Sequence, residues 1–230
     1  MKFLDWLFEK KCVICEKNGD YLCKKCTQGL SPHPEHCLIC HKQSDDYKTC
    51  KKCLREGNNI IEGVIVAFSY DTSIKKLIKN LKYKSAYDIS HFFSLKLSYL
   101  ISTYFDIHDT SILLSFVPSH RTKKIFIRGY NQSELLAQGV AQLLGLPFAK
   151  VCKKVRWTKK QAGLKRQQRL INLNEAFEIN QKSLFISQKN IILIDDITTT
   201  GSTLIETAKP IKKLFPKVKI WGLVIARNSS

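Results

Sequence analysis

The sequence predicts a mixed α/β protein, a mainly parallel sheet following a small, metal-stabilised N-terminal module. Three observations predict it. Eight of the nine cysteines form four C-x-x-C pairs between residues 12 and 53. Apolar, β-rich runs then alternate with helical periodicity to the C-terminus, which is the pattern of a parallel sheet. Finally, residues 191–204 join a short apolar strand, through two acids and a hydroxyl-rich turn, to a helix. A chain of 230 residues, 44% hydrophobic and 25% charged, has room for one α/β domain of roughly 100–200 residues and a satellite. The division expected is 1–57 and 58–230.

The cysteines are Cys12/Cys15, Cys23/Cys26, Cys37/Cys40 and Cys50/Cys53, with Cys152 standing alone. A two-residue spacer lets both thiolates of a knuckle face one ion, and two knuckles complete the four-thiolate shell of structural zinc. Eight sulfurs make two such sites. Adjacent pairing is favoured over an interleaved cross-brace, because Ser31-Pro32-His33-Pro34 falls between two units. His33, His36 and His41 are spare ligands that the sulfur count does not require. A closed thiolate shell leaves no position for water, so the zinc is expected to be structural, and its binding to supply most of the module's folding energy. Disulfides are the competing account. No apolar leader stretch is visible near the N-terminus, so a cytoplasmic location and reduced thiols are expected.

After Cys53 the elements follow in order. Residues 60–70 are β-rich through Ile60, Ile61, Val64, Val66, Phe68 and Tyr70. Asp71-Thr72-Ser73 caps a helix whose Ile74, Leu77, Ile78 and Leu81 recur at i, i+3, i+4 and i+7. A second helix spans roughly 88–104, a buried strand 111–117, and a helix 131–144 that Gly145 and Pro147 end. A strand is expected over 151–156. Residues 157–174 are polar and aperiodic, the composition of a lid. Strand 191–194, helix 202–214 and strand 217–226 complete the chain.

Charge narrows the partners. Lys and Arg number 38 against 19 acids, a net +19, which points toward polyanions. Residues 1–58 carry 11 bases and 8 acids; residues 121–169 carry 13 bases and Glu134 alone. A solvated basic face is the plain reading of such a run. The sharper one is a single-strand DNA surface, because Lys150, Lys153, Lys154, Arg156, Lys159 and Lys160 surround Trp157, a stacking platform among phosphate-binding cations. The longest uncharged run, residues 135–149, is too short for a membrane span of about 20 residues.

The chemistry concentrates in Ile191-Ile192-Leu193-Ile194-Asp195-Asp196-Ile197-Thr198-Thr199-Thr200-Gly201-Ser202-Thr203-Leu204. Acids at the carboxyl end of a buried parallel strand lie where open α/β sheets bind ligands. The hydroxyl-rich turn with Gly201 then enters a helix N-terminus, whose N–H groups favour phosphate. Sugar hydroxyls fit the acids and a phosphate fits the turn. No P-loop pattern occurs in the chain.

This stretch resembles the phosphoribosyl pyrophosphate (PRPP) loop of type I phosphoribosyltransferases. With Val117-Pro118-Ser119-His120, Arg128-Gly129-Tyr130-Asn131-Gln132, Gln161 and Leu164, Arg169 and Asn172, Leu81-Lys82-Tyr83 and the cysteine module, the chain is similar to the ComF family of competence proteins. The resemblance implies a phosphoribosyltransferase-like domain behind a zinc ribbon. It places the ribose hydroxyls on Asp195 and Asp196, which are also the catalytic candidates, and the 5′-phosphate on Thr198, Thr199, Thr200, Gly201, Ser202 and Thr203. Ser119, His120 and Arg121 fall where such folds bind pyrophosphate, and Arg128 and Arg169 suit bidentate phosphate contacts. Arg166 belongs to the same ComF-like set, and Tyr130 is either a base-stacking platform or core. Mg2+ would accompany PRPP.

Three functions compete. The family match implies a DNA-uptake accessory protein binding PRPP and single-stranded DNA, with a helicase and an inner-membrane DNA channel as partners, hence placement at the inner membrane face. A nucleobase-salvage phosphoribosyltransferase is the alternative: a base nitrogen attacks the anomeric carbon of PRPP as pyrophosphate leaves, with an Asp stabilising the developing positive charge. A PRPP-sensing regulator of duplex DNA would need a helix-turn-helix reader, and the sequence has none.

Overall fold

The computed structural model describes residues 10–57, 60–81, 86–108, 111–119, 130–156, 173, 175–181, 187 and 189–228. The N-terminal module contributes two five-residue helices, α1 (Lys24–Gln28) and α2 (Lys51–Arg55), each starting directly after a cysteine that serves as its N-cap residue. Thereafter come β1 (Gly63–Ser69), α3 (Thr72–Asn80), α4 (Ala86–Tyr104), β2 (Ile112–Phe116), α5 (Gln132–Leu144), β3 (Cys152–Lys154), β4 (Phe177–Ile179), β5 (Asn190–Thr198), α6 (Ser202–Leu214) and β6 (Lys219–Arg227). The expected α/β alternation stands.

Four strands form a parallel sheet in the order β1-β6-β5-β2. In the inner strand β5, Ile191, Ile192, Leu193 and Ile194 form a continuous apolar run and are fully buried, as a parallel strand covered on both faces requires. Helices α4 and α5 pack on each other and on the sheet, while α6 contacts β5 and the β3–β4 pair. Helix boundaries follow the capping chemistry. Asp71 accepts from the Ile74 N–H at 2.8 Å, Asn131 accepts from the Ser133 N–H at 3.2 Å, and Gly145 ends α5 in the left-handed conformation at φ +65°.

Two differences from the sequence reading stand out. Strand β5 runs four residues beyond Ile194, so both acids and Thr198 lie on it: pairing to β6 continues through Thr198↔Arg227. Apolar periodicity misses this because three of the last four residues are polar while their backbone stays in the ladder. The strand expected over 151–156 is real but shorter. It pairs antiparallel with β4, an element without a sequence signal, in a separate two-stranded sheet. The lid expected over 157–174 lies outside the described residues save Leu173, which is fully buried.

The cysteine module covers the open edge of β1. Single bridges join Pro32 to Phe68 and Lys48 to Gly63, and the Ser69 N–H donates to Ser31 O at 3.0 Å. The Tyr47 hydroxyl reaches His33 O at 2.6 Å and Val66 O at 3.2 Å. An edge strand otherwise exposes unpaired backbone groups; here the module takes them up.

Candidate functional site

At the N-terminal end of the chain the eight thiols gather as Cys12, Cys15, Cys23 and Cys26 in one group and Cys37, Cys40, Cys50 and Cys53 in another, with all sulfurs of a group within 4.8 Å of each other. Cys15 and Cys23 Sγ are 3.8 Å apart and Cys40 and Cys50 Sγ 3.6 Å. Four sulfurs held at about 2.3 Å from one tetrahedral ion sit about 3.8 Å from each other, so both groups fit zinc. The adjacent pairing is the one found. None of the three module histidines joins either group: His33 Nδ1 lies 2.6 Å from Pro34 O, and His41 lies against Arg227. Cys152 is buried, donates to Thr207 O at 3.4 Å, and burial pushes its thiol up to about 12, so it is inert as a nucleophile.

The second centre lies at the carboxyl ends of β2 and β5. Asp195 Oδ1 accepts from the Ser133 hydroxyl at 2.8 Å and from the Asp196 N–H at 2.9 Å, and Asp196 Oδ1 accepts from the Ile197 N–H at 2.7 Å. Burial, joined by the negative charge of Asp196, pushes the Asp195 carboxyl up to about 8, although the Ser133 bond works in the opposite direction. Such a carboxyl ionises less readily than a solvated one, and a bound cation beside it favours its charged form.

The turn that follows has the N–H groups and hydroxyls that a compact anion could accept from. Thr198 and Ser202 are buried, Gly201 takes φ +75°, and no side chain caps the N-terminus of α6. The Thr200 and Ser202 hydroxyls lie 2.6 Å apart. The turn is held from behind: Thr198 O accepts from the Asn228 N–H at 2.9 Å, and Gly201 packs on Leu38 so tightly that a Cβ there would fall 2.1 Å from Leu38 Cδ2. Among the predicted pyrophosphate residues Ser119 is exposed just past β2; His120, Arg121, Arg128 and Arg169 lie outside the described residues, as do Arg166, Gln161, Leu164, Asn172, Lys82 and Tyr83.

Neighbouring motif residues turn out to be scaffolding. Tyr130 donates its hydroxyl to Leu81 O, tying two stretches of the family-like pattern together and committing its polar end. Asn131 caps α5 and also donates to Val117 O at 3.1 Å. Ser133, Leu38, Asn228 and Arg227 were not foreseen. Ser133 follows Gln132 of the Arg128–Gln132 stretch by one residue, and only the fold brings it to Asp195. Arg227 is 3% exposed; its Nη2 donates to Leu38 O at 2.8 Å and lies 2.9 Å from His41 Nδ1. Burial pulls its pKa down while the Cys37 and Cys40 thiolates push it back.

Of the predicted DNA-binding residues, Lys150 and Arg156 are exposed, but Lys153 pairs with Glu178 at 3.4 Å and Lys154 lies over the Phe177 ring at 5.3 Å. Strand β4 thus places an acid beside a run that has none of its own. Trp157, Lys159 and Lys160 lie outside the described residues. No helix among the described residues is long and apolar enough to cross a membrane.

These features define an α/β domain with an acid pair and a glycine turn at the sheet's carboxyl edge, fastened to a module with two four-cysteine groups. The chain is similar, along most of its length, to proteins named for competence and DNA utilization. It is 28% identical to Competence protein F of Haemophilus influenzae over 229 residues, 95% of this chain and 98% of that one. It is 25% identical over 194 residues to Competence protein ComFC of Bacillus subtilis, covering 82% and 76% of the two chains. With the DNA utilization protein YhgH of Escherichia coli K12 the identity is 26% over 209 residues, 88% and 89% of the chains. No family model matches. Among solved structures, an orotate phosphoribosyltransferase from Aeropyrum pernix aligns at a TM-score of 0.37 and 14% identity, covering 70% of this chain and 67% of its own, a level that carries no argument by itself.

Proposed function

We propose that this chain is a DNA-uptake accessory protein that binds PRPP with Mg2+ at residues 195–203 and single-stranded DNA over the basic surface around residues 150–160. Nearly end-to-end similarity to a protein named for competence supports the cellular role. The ligand reading is carried by one observation: a carboxylate pair at a strand end leads directly into a left-handed glycine turn and a helix start that no side chain caps. Ribose hydroxyls donate to Asp195 and Asp196, and the 5′-phosphate takes the N–H and hydroxyl groups of the turn. The negative charge of Asp196 favours a Mg-bound ligand over the bare polyanion.

Calorimetry with PRPP, with and without Mg2+, tests the site. Replacing Asp195 and Asp196 by Ala removes charged hydrogen bonds worth about 1.5–3 kcal/mol, or roughly 10- to 150-fold in affinity. Unchanged affinity in the double variant refutes the assignment. The cellular role is tested by deleting the gene and transforming with single- and double-stranded donor DNA; normal transformation of the deletion strain removes it.

A further inference from the structure

We infer that the second four-cysteine group, Cys37, Cys40, Cys50 and Cys53, forms the back wall of the 198–203 turn, and that Leu38 and Arg227 are positioning residues linking metal occupancy of that group to the shape of the ligand site. The inference rests on the reading of that turn as a phosphate site. Its geometry stands on four contacts. Leu38, between Cys37 and Cys40 and 3% exposed, has its side chain on Gly201: a Cβ there would meet Cδ2 at 2.1 Å and Cγ at 2.9 Å. Gly201 is the residue whose φ of +75° starts α6. Arg227 donates to Leu38 O at 2.8 Å, is in register with Thr198 across the β5–β6 ladder, and is followed by Asn228, whose N–H holds Thr198 O at 2.9 Å. Leu38 and Ile39 also line a small apolar cavity with Ile61 and Ile205, so the same knuckle faces the first turn of α6.

The physical consequence is directional. The backbone between Cys37 and Cys40 keeps its shape only while the thiolates share an ion, because so short a segment buries too little apolar surface to order itself. With the ion gone, Leu38 no longer packs on Gly201, and the Leu38 carbonyl no longer anchors Arg227. The turn then loses its back wall while β5 itself, held on both sides by β2 and β6, stays in place. The first four-cysteine group meets the domain through other residues: Val13, Ile14, Tyr21 and Leu22 pack on the core, Lys76 Nζ donates to Ile14 O at 3.2 Å, and Lys10 pairs with Asp88 at 3.6 Å.

Amide hydrogen exchange of the full-length, zinc-loaded protein reads the turn without any ligand. Leu38→Ala is expected to speed exchange of the 198–204 amides about tenfold or more, with zinc content and the β5 core amides unchanged. Leu38→Met, which refills the volume, is expected to restore the parental rate, and Arg227→Lys to give an intermediate one. Cys50→Ser should loosen the same amides, whereas Cys23→Ser should not. Wild-type protection of 198–204 in Leu38→Ala, or equal loosening by Cys23→Ser and Cys50→Ser, overturns the inference. Titration with PRPP and Mg2+ separates the two ideas: wild type that fails to bind sinks the ligand reading while the exchange result still decides the coupling, and wild type that binds with Leu38→Ala equally tight sinks the coupling alone.

Discussion

The Ser133 hydroxyl donates to Asp195 Oδ1 at 2.8 Å, joining the first turn of α5 to the end of β5 across 62 residues of sequence. This bond favours the ionised form of Asp195, against the burial and the Asp196 charge that raise its pKa. Asp195 is crowded by burial and by the charge of Asp196, and Ser133 is the side chain that offsets part of that cost. A carboxyl poised in this way is an ordinary acid in sequence and an unusual one in the fold.

The first prediction concerns pH. Asp195 is raised from 3.8 to about 8, so between those values the folded chain holds a proton that the unfolded chain has lost. Stability from this group is therefore full below the ordinary carboxyl range and is lost as pH rises toward about 8. Asp195→Asn, which cannot ionise, should melt close to wild type at about pH 4 and above it at about pH 8.5, by roughly 2–4 °C for each kcal/mol relieved. Ser133→Ala removes a bond that favours the ionised form, so it should move the pH midpoint of PRPP binding upward. A downward or absent shift contradicts this role for Ser133.

A second prediction tests the metal centres. Protein purified under reducing conditions without chelator should contain about two zinc ions, one per four-cysteine group. Cys37→Ser should lower that to about one and unfold the local module, while Cys152→Ser keeps both ions. Cys152 itself should resist alkylation in the folded state, since its thiol is buried and raised to about 12. Rapid labelling of Cys152 in native protein would show the pocket around it to be open.

Gly201→Ala provides a third. The left-handed φ costs a non-glycine residue roughly 1–2 kcal/mol, and the new Cβ also collides with Leu38. The double variant with Leu38→Ala should recover part of the loss, giving a favourable coupling in a double-mutant cycle of melting temperatures. Additive effects would mean that the two side chains do not meet.

The fourth addresses DNA. If about four lysines and arginines contact a single strand, log K should fall against log salt with a slope near −3, from roughly 0.7 per phosphate. Glu178 sits 3.4 Å from Lys153, so Glu178→Gln should tighten oligonucleotide binding and Lys153→Ala weaken it. Replacing Lys153, Lys154, Lys159 and Lys160 together by Ala should flatten the slope. An unchanged slope leaves those residues a solvated face.

The sequence by itself determined what depends on near neighbours in the chain. C-x-x-C spacing specifies which thiols can share an ion. Asp71, Asn131 and Gly145 set helix ends because capping is a matter of one to three residues. The run from Ile191 through Leu204 announces a strand, an acid pair and a turn within 14 positions. The tertiary structure decided whatever depends on partners remote in the chain. Strand β4 exists because Cys152–Lys154 pairs with it, not because Phe177–Ile179 has any strong local preference. Ser133 reaches Asp195 because α5 packs beside β5. Leu38 reaches Gly201 because the module closes the sheet's edge, bringing together residues 163 positions apart. Such contacts leave no period or spacing to read, since they are made between side chains whose separation along the chain is set only by how the sheet is ordered.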